Sequence, residues 1–359
     1  MKYAFAILMG IHGLIHLMGL VSAFLSTSIE KQVLGISKPI GALWLITFIL
    51  FTVSAFQFLS NKHWFYLGIT SAIVSQTLII IAWNDTKLGT ILNLIILLVG
   101  IHAYGKYRFQ KMVELESREL FSNITQNNIK VIKEEDLNHL PNVIQKWLKH
   151  SGIIGKEEIV TVRLKQKGKM RTKPSSKWMP FVATQYFNTK SSSFVWSTTV
   201  DALLIKMIGR DKLTDGNGEM LIKLGAIIPV VNESQNDKIN SGAMIRYLAE
   251  ICWFPSSALN KYMTWQSIDE TSAKATFIYK NQSVSGVFSF STKGDFISFT
   301  ADRYYGGSTN STLETWHVEA LSHKEFNGVK IPNKCKVTWK LSGGDFNWLK
   351  LEITDIEFN

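Results

Sequence analysis

Tyr3-Ala-Phe-Ala-Ile-Leu-Met-Gly10-Ile-His12-Gly-Leu-Ile-His16-Leu-Met-Gly19-Leu-Val-Ser22-Ala-Phe-Leu25 contains no Asp, Glu, Lys or Arg, and residues 40–59, 64–83 and 88–105 share that property. At 1.5 Å rise per residue, runs of about 18–23 residues match a hydrocarbon core about 30 Å thick. A cleaved leader accounts for one such run, and Val21-Ser22-Ala23 has the look of a cleavage site, but it leaves the three later runs unexplained. The pattern predicts a bundle of four transmembrane helices within residues 1–107. A multi-pass protein of the inner (cytoplasmic) membrane follows.

Polar side chains in hydrocarbon are costly unless they meet one another. Counted along the helices at about 1.5 Å per residue, His16, Gln76 and Asn93 fall at one depth, and Gln57 and His102 at another nearer the inner face. Two layers of interhelical hydrogen bonds are expected, each bond contributing about 1 kcal/mol or less. His12 shares a helix face with His16. The sharper alternative is a haem or metal site using His12 or His16 with His102. No Cys-x-x-Cys-His and no third ligand accompanies these histidines, so the sequence favours polar contacts between helices, with no metal and no cofactor. Gly10 and Gly13, and Gly68, Ala72 and Ser75, are spaced to let helices approach closely.

Outside the bundle the composition changes. Up to residue 105 the chain has five Lys, no Arg and two acids, Glu30 and Asp85, so most of the net charge of +11 lies in the remainder. With an even number of spans, both termini share a side. Lys2, Lys62, Lys106, Arg108, Lys111 and Arg118 then fall on one side, against Lys31, Lys38 and Lys87 on the other. The positive-inside rule places the termini, and the large C-terminal domain, in the cytoplasm. The only cysteines, Cys252 and Cys335, form no paired motif, and reduced thiols are expected.

Residues 108–133 read as a juxtamembrane helix with a basic, aromatic collar (Lys106 to Lys111), followed by a polar linker at 122–130. Residues 134–359 read as a soluble, β-rich domain opened by a helix. Glu134, Glu135 and Asp136 stand in its first turn, Leu137 to Leu148 give an apolar face, and Pro141 starts or restarts it. From Ile159 the period becomes two. Eleven further strands are expected at 179–188, 193–200, 203–213, 219–226, 262–268, 273–280, 284–291, 295–303, 313–321, 329–341 and 347–357. Turn signals mark Lys293-Gly294, Asn327-Gly328 and Gly343-Gly344. One helix, about 241–252, interrupts them. Strands joined by tight turns imply one large antiparallel sheet, and a sheet of a dozen strands must curl. The expected fold is a helical membrane bundle plus an α+β domain: a curved, half-barrel-like antiparallel sheet with one internal helix on its concave side.

Gly10-Ile-His-Gly-Leu-Ile-His-Leu-Met-Gly19, Ile36-Ser-Lys-Pro-Ile-Gly-Ala-Leu-Trp44 and Ala82-Trp-Asn-Asp-Thr-Lys-Leu-Gly-Thr90 resemble an uncharacterised bacterial membrane-protein family. The soluble part is similar to a domain of unknown function that also occurs alone. The matching stretches are Leu140-Pro-Asn-Val143, Gly168-Lys-Met-Arg171, Trp178-Met-Pro-Phe181, Arg246-Tyr-Leu-Ala-Glu-Ile-Cys-Trp-Phe-Pro255 and Phe326-Asn-Gly-Val-Lys-Ile-Pro332. The resemblance covers nearly the whole chain and brings no established activity. In architecture alone, the sheet-plus-helix pattern also resembles the half-barrel of bacterial lipoprotein carriers.

Two groups of residues invite a functional reading. Arg163, Lys165, Lys167, Lys169, Arg171 and Lys173 alternate along the first strand and put one sign of charge on one face. Contact with anionic lipid headgroups is one reading; a solvated face that discourages edge pairing is the other. The nearby aromatics do not interleave with these charges, which argues against nucleic acid. Arg246 and Glu250 lie one helical turn apart, and Trp253 closes that helix. They form an ion pair along the helix or, if their face looks into a hollow, meet the polar end of a ligand. Arg303 and His317, with Asp302 and Tyr304, stand on late strands that reach the same region.

The chain has no Gly-x-Ser-x-Gly elbow, no Walker loop and no His-Glu-x-x-His, and its soluble histidines lack ligand spacing. The leading expectation is a membrane-anchored protein whose curved β domain binds a lipid or another apolar ligand. An enzyme with a dispersed site of Arg246, Glu250, Arg303 and His317 is the alternative, and a membrane redox or haem protein the third.

Overall fold

The computed structural model describes residues 2–25, 36–122, 124, 130–202, 205–306, 308 and 310–359. Most of the linker expected at 122–130, the Lys31 loop and the start of the strand expected at 203–213 lie outside them. The chain divides into two compact units, Met1–Gln110 and Lys111–Asn359.

In the first unit, helices α1 (Lys2–Phe24), α2 (Lys38–Leu59) and α4 (Gly89–Ser122) are each long and apolar enough to cross a membrane. Helix α3 (Phe65–Ile81) has 17 residues, a length of about 25 Å. It is shorter than its apolar run because Ala82 leaves helical geometry and a separate turn, Trp83–Thr86, follows. The boundary between the units falls inside α4, where the apolar sequence gives way to Lys111, Glu114, Glu116 and Arg118. Close packing of α1 on α2 depends on Gly19 and Gly41. A Cβ on the first would lie 2.2 Å from the Trp44 ring, and one on the second 2.3 Å from the Ala23 methyl. Gly10, expected in that role, meets nothing within 4 Å.

The deeper polar layer is built as a connected network. His12 Nε2 donates to Asn93 Oδ1 at 2.8 Å, and Asn93 Nδ2 donates to Ser75 Oγ at 3.0 Å and Gln76 Oε1 at 3.1 Å. The Ser75 hydroxyl lies 3.0 Å from His16 Nε2, while His16 Nδ1 lies 2.9 Å from the His12 carbonyl. Since a carbonyl only accepts, His16 carries its proton on Nδ1 and receives the Ser75 hydroxyl on Nε2. Gln76 completes the chain by donating to Thr90 at 3.1 Å. The second layer differs: His102 is exposed and Gln57 only half-buried. His16 thus has both ring nitrogens engaged, while Nδ1 of His12 is buried without a hydrogen-bond partner among the described residues. Among the described residues, no group of three His, Cys, Asp or Glu is placed to hold a metal ion.

The second unit is one antiparallel sheet. Strands β1 to β6 occupy Thr161–Met170, Met179–Asn188, Ser193–Ala202, Ile205–Thr214, Asn217–Leu224 and Ile228–Ser234, and β7 to β13 occupy Met263–Ser267, Ser272–Tyr279, Gln282–Phe290, Phe296–Tyr305, Thr312–Phe326, Val329–Leu341 and Gly344–Phe358. The order is β6-β5-β4-β3-β2-β1-β13-β12-β11-β10-β9-β8-β7. Two meanders are therefore zipped together where β1 pairs with β13. Strand β6, absent from the sequence reading, contains Pro229. A proline lacks the N–H a ladder needs, and β6 tolerates it because it is an edge strand.

Before the sheet, the expected first helix is split at Pro141 into a 3₁₀ turn, Glu134–Leu137, and helix α5, Asn142–His150. The internal helix, α6, runs Asp237–Glu250, earlier than the expected 241–252. Asn236 caps it by accepting from Ile239 N at 2.9 Å. Helix α6 touches both β5 and β9, which stand nine places apart in the strand order. At about 4.8 Å per strand, a flat sheet would separate them by about 43 Å, so the sheet is curled around the helix. The turn at Asp215-Gly216 meets the β8–β9 hairpin across the opening, with Tyr279 Oη 3.3 Å from Asp215 Oδ1 and Gln282 Nε2 3.2 Å from Gly216 O. On the β7–β10 side, Phe277, Phe288, Phe296 and Phe299 fill the concave face with Trp147 of α5 and Tyr247 of α6, all buried. The opposite side is packed less completely.

Candidate functional site

Between α6 and the sheet lies a cavity of about 380 Å³. Its wall is mostly apolar: Phe181, Val200, Met207, Ile222, Val337 and Leu351 project from the strands, and Ala249, Cys252 and Trp253 from the helix side. Strand alternation produces this lining, since every second residue of each strand faces the concave side. Both cysteines lie in the wall, free and buried. Burial pushes the Cys335 thiol up to about 12, as expected of an inert, protonated group.

At one corner the wall turns polar. Arg246 donates from Nε to Glu250 at 2.8 Å and from Nη1 to Asp211 at 2.6 Å. Gln185 donates to the other Glu250 oxygen at 2.7 Å, and Trp196 donates from Nε1 to Gln166 at 2.8 Å. The Arg246 guanidinium also lies over the rings of Trp196 and Phe194, at 4.7 and 5.0 Å. Burial raises the pKa of both Asp211 and Glu250, and Arg246 offsets part of that rise. The Arg246–Glu250 ion pair expected from their spacing is present, and it does face a hollow.

Arg303 reaches the same cavity from β10. Its guanidinium rests on Trp316 at 4.9 Å and near Trp339 at 5.7 Å, and its Nε donates to the Gly242 carbonyl at 3.0 Å. Burial, reinforced by the Arg246 cation, pulls it down to about 10, so it stays charged at neutral pH. Arg246, Glu250, Trp253 and Arg303 are therefore gathered in one place. His317 is not. On β11, Trp316 and Val318 face the cavity, so His317 between them faces outward, where Nδ1 lies 2.8 Å from Thr300 Oγ1. Alternation turns Asp302 and Tyr304 away for the same reason; Asp302 accepts from Thr315 and the Tyr304 ring lies under Lys238. The four-residue dispersed catalytic site loses its only histidine.

Gln166, Gln185 and Asp211 join this candidate site without having been singled out in the sequence. A signal existed for the glutamines: Val162-x-Leu164-x-Gln166 and Ala183-x-Gln185-x-Phe187 each place one amide on an otherwise apolar, inward face, and both are buried.

The basic face of β1 is matched by acids on β13. Arg163 pairs with Glu357 at 3.2 Å, Lys165 with Asp355 at 2.9 Å and Lys167 with Glu352 at 3.4 Å. Arg171 lies over Trp178 at 4.7 Å and donates to the Asn347 carbonyl at 2.8 Å. Lys169 and Lys173 are exposed. Half of the positive stripe is thus neutralised within the sheet.

The chain belongs to a family of unknown function (DUF6544), whose model matches residues 130–351. No curated protein matches it. Among solved structures it is similar to a putative outer membrane lipoprotein-sorting protein domain from Vibrio parahaemolyticus, with a TM-score of 0.35, 8% identity, and coverage of 55% of this chain and 85% of that one. A LolA superfamily protein from Nitrosomonas europaea gives a TM-score of 0.33 at 8% identity, covering 60% of this chain and 93% of that one. A DUF1329 family protein from Desulfovibrio piger gives 0.33 at 8% identity, covering 61% and 91%.

Proposed function

We propose that this protein is a membrane-anchored carrier or receptor for an apolar ligand, held in the cavity between α6 and the curved sheet. One observation carries the reading. A hydrophobic interior normally closes to crystal-like density, yet here about 380 Å³ stays open in the heart of the β unit. That volume falls in the usual range for small-molecule sites, about 300–1,000 Å³, which are typically apolar with a few placed polar groups. The apolar N-terminal helices are the anchor. The six-to-three distribution of basic residues supports a cytoplasmic β domain, and a C-terminal reporter fusion active only in the cytoplasm tests that side.

The direct test uses the full chain. Ala249 sits on α6 in the cavity wall, and Ala249→Trp fills the space. Lipid extraction and mass spectrometry of purified wild type and variant, in equal amounts, read the ligand. An apolar compound present with the wild type and depleted in the filled variant supports the proposal. Equal recovery from both overturns it, because lipid bound only around the helices is indifferent to the cavity.

A further inference from the structure

Among the described residues, Arg303 makes one hydrogen bond, from Nε to the Gly242 carbonyl at 3.0 Å, and its two Nη groups meet no acceptor. A guanidinium has five N–H donors. Trp316, on which it rests, is only 5% exposed, and its indole N–H is buried without an acceptor. That N–H is closed off even from the cavity, whereas the Arg303 Nη groups face it without a protein acceptor, and a cationic donor left without a partner in an apolar wall is costly. Every nearby carboxylate is already engaged by Arg246.

Charge decides what sort of acceptor is missing. Arg246 and Arg303 carry two positive charges, Asp211 and Glu250 two negative ones, so the corner is neutral as it stands. Arg246 is shared by both carboxylates, and among the described residues Arg303 stands outside that set with no carboxylate within 4 Å. A further negative charge brought into this low-dielectric corner would leave it with a net charge, which burial penalises strongly. A neutral oxygen acceptor satisfies the free donors and adds no charge.

We infer that the cavity selects an uncharged amphiphile of the acyl-ester class, whose carbonyl oxygen accepts from the Nη groups of Arg303 while its chain lies along the apolar wall. This rests on the cavity being an apolar-ligand site, and it specifies the ligand's polar end.

The test uses the full chain in amphipol, free of added lipid, and three probes of equal chain length: a monoacylglycerol, the ionised fatty acid at pH 8 and the n-alkane. Displacement of an apolar fluorescent dye reads affinity. The ester is expected to bind about tenfold more tightly than the alkane, as one hydrogen bond to a charged donor gives, and more tightly than the ionised acid. Arg303→Met is expected to abolish the advantage. Equal binding of ester and alkane overturns the inference while the apolar-ligand reading stands. So does tightest binding by the acid, which marks an anion site instead. Failure of all three probes to displace the dye overturns the apolar-ligand reading itself.

Discussion

The two units bury polar side chains in opposite ways. In the helical unit, His12, His16, Ser75, Gln76, Thr90 and Asn93 form a network of neutral groups, each held by a neighbour's donor or acceptor. In the β unit, Arg246, Asp211, Glu250 and Arg303 are full charges at the edge of an apolar cavity. A helix facing lipid has no water to fall back on, and neutral hydrogen bonds are what it tolerates. A sheet curled around its own interior is able to surround a charge with its counter-charge. Removing one member should therefore do little in the first network and a great deal in the second.

Arg246→Met is the largest expected effect. It leaves Asp211 and Glu250 buried without a cation, and breaking a buried pair in this way costs about 3–5 kcal/mol. Denaturant unfolding of the full chain, followed by tryptophan fluorescence, measures it. Burial raises the folded pKa of both carboxylates, so the folded state binds protons more readily than the unfolded one. The penalty is present above the folded pKa and is relieved as pH falls through it. The loss in Arg246→Met is accordingly expected to shrink on acidification, and Glu250→Gln in that background to recover part of it at neutral pH. A small loss that does not vary with pH would break the contrast between the units.

The legibility of this site in the sequence followed the range of its contacts. Arg246 and Glu250 are one helical turn apart, a spacing readable by eye, and Arg303 entered as a charged residue on a late strand. His317 was misplaced by one residue of phase: with Trp316 and Val318 turned inward, it had to turn out. Pro229 hid β6 because a proline argues against a central strand and says less about an edge. Asp211 sits between Arg210 and Lys212, whose charges go to Glu116 and Glu219, so the local sequence reads as a solvated run. The four apolar runs, by contrast, were plain in composition alone, because lipid imposes one rule along the whole helix. What composition did not give was where α3 stops.

An intermediate effect is expected at Asp295. It accepts from His150 of α5 at 3.0 Å and pairs with Lys330 of β12 at 2.6 Å, tying the β9–β10 turn to both. Burial alone would raise its pKa, but the bonds from Lys330 and His150 outweigh that and hold the carboxylate down at about 2. A depressed carboxylate stabilises the fold above its ordinary value, near 3.8, and that contribution is lost as pH falls from about 4 towards 2. Asp295→Asn is expected to cost about 1–2 kcal/mol at neutral pH once solvent screening is allowed for, and to be indistinguishable from wild type below pH 2. Asn93→Leu, at the centre of the neutral network, should cost about 1 kcal/mol or less, the usual worth of a hydrogen bond between membrane helices. Unfolding in mixed micelles reads it, and a loss as large as that of Arg246→Met would show the helical network to be as demanding as the charged corner.

The smallest effect is expected on the β1 face, where charge was most conspicuous in the sequence. Lys165 and Asp355 are each about half exposed, at 48% and 47%, and an exposed pair contributes only a few tenths of a kcal/mol. Their partnership spans 190 residues of chain, so the positive stripe is visible locally and its neutralisation is not. If headgroup attraction came from the whole stripe, Lys165→Ala and Lys169→Ala would weaken binding to anionic vesicles alike. The ion pairs predict a difference even though each substitution removes one positive charge: Lys165 is held by Asp355, whereas exposed Lys169 stands opposite Lys350 and is the freer of the two to meet a headgroup, so Lys169→Ala is expected to lose more binding. Vesicle co-sedimentation of the two variants at low and moderate salt separates these cases, and identical losses would restore the uniform basic face.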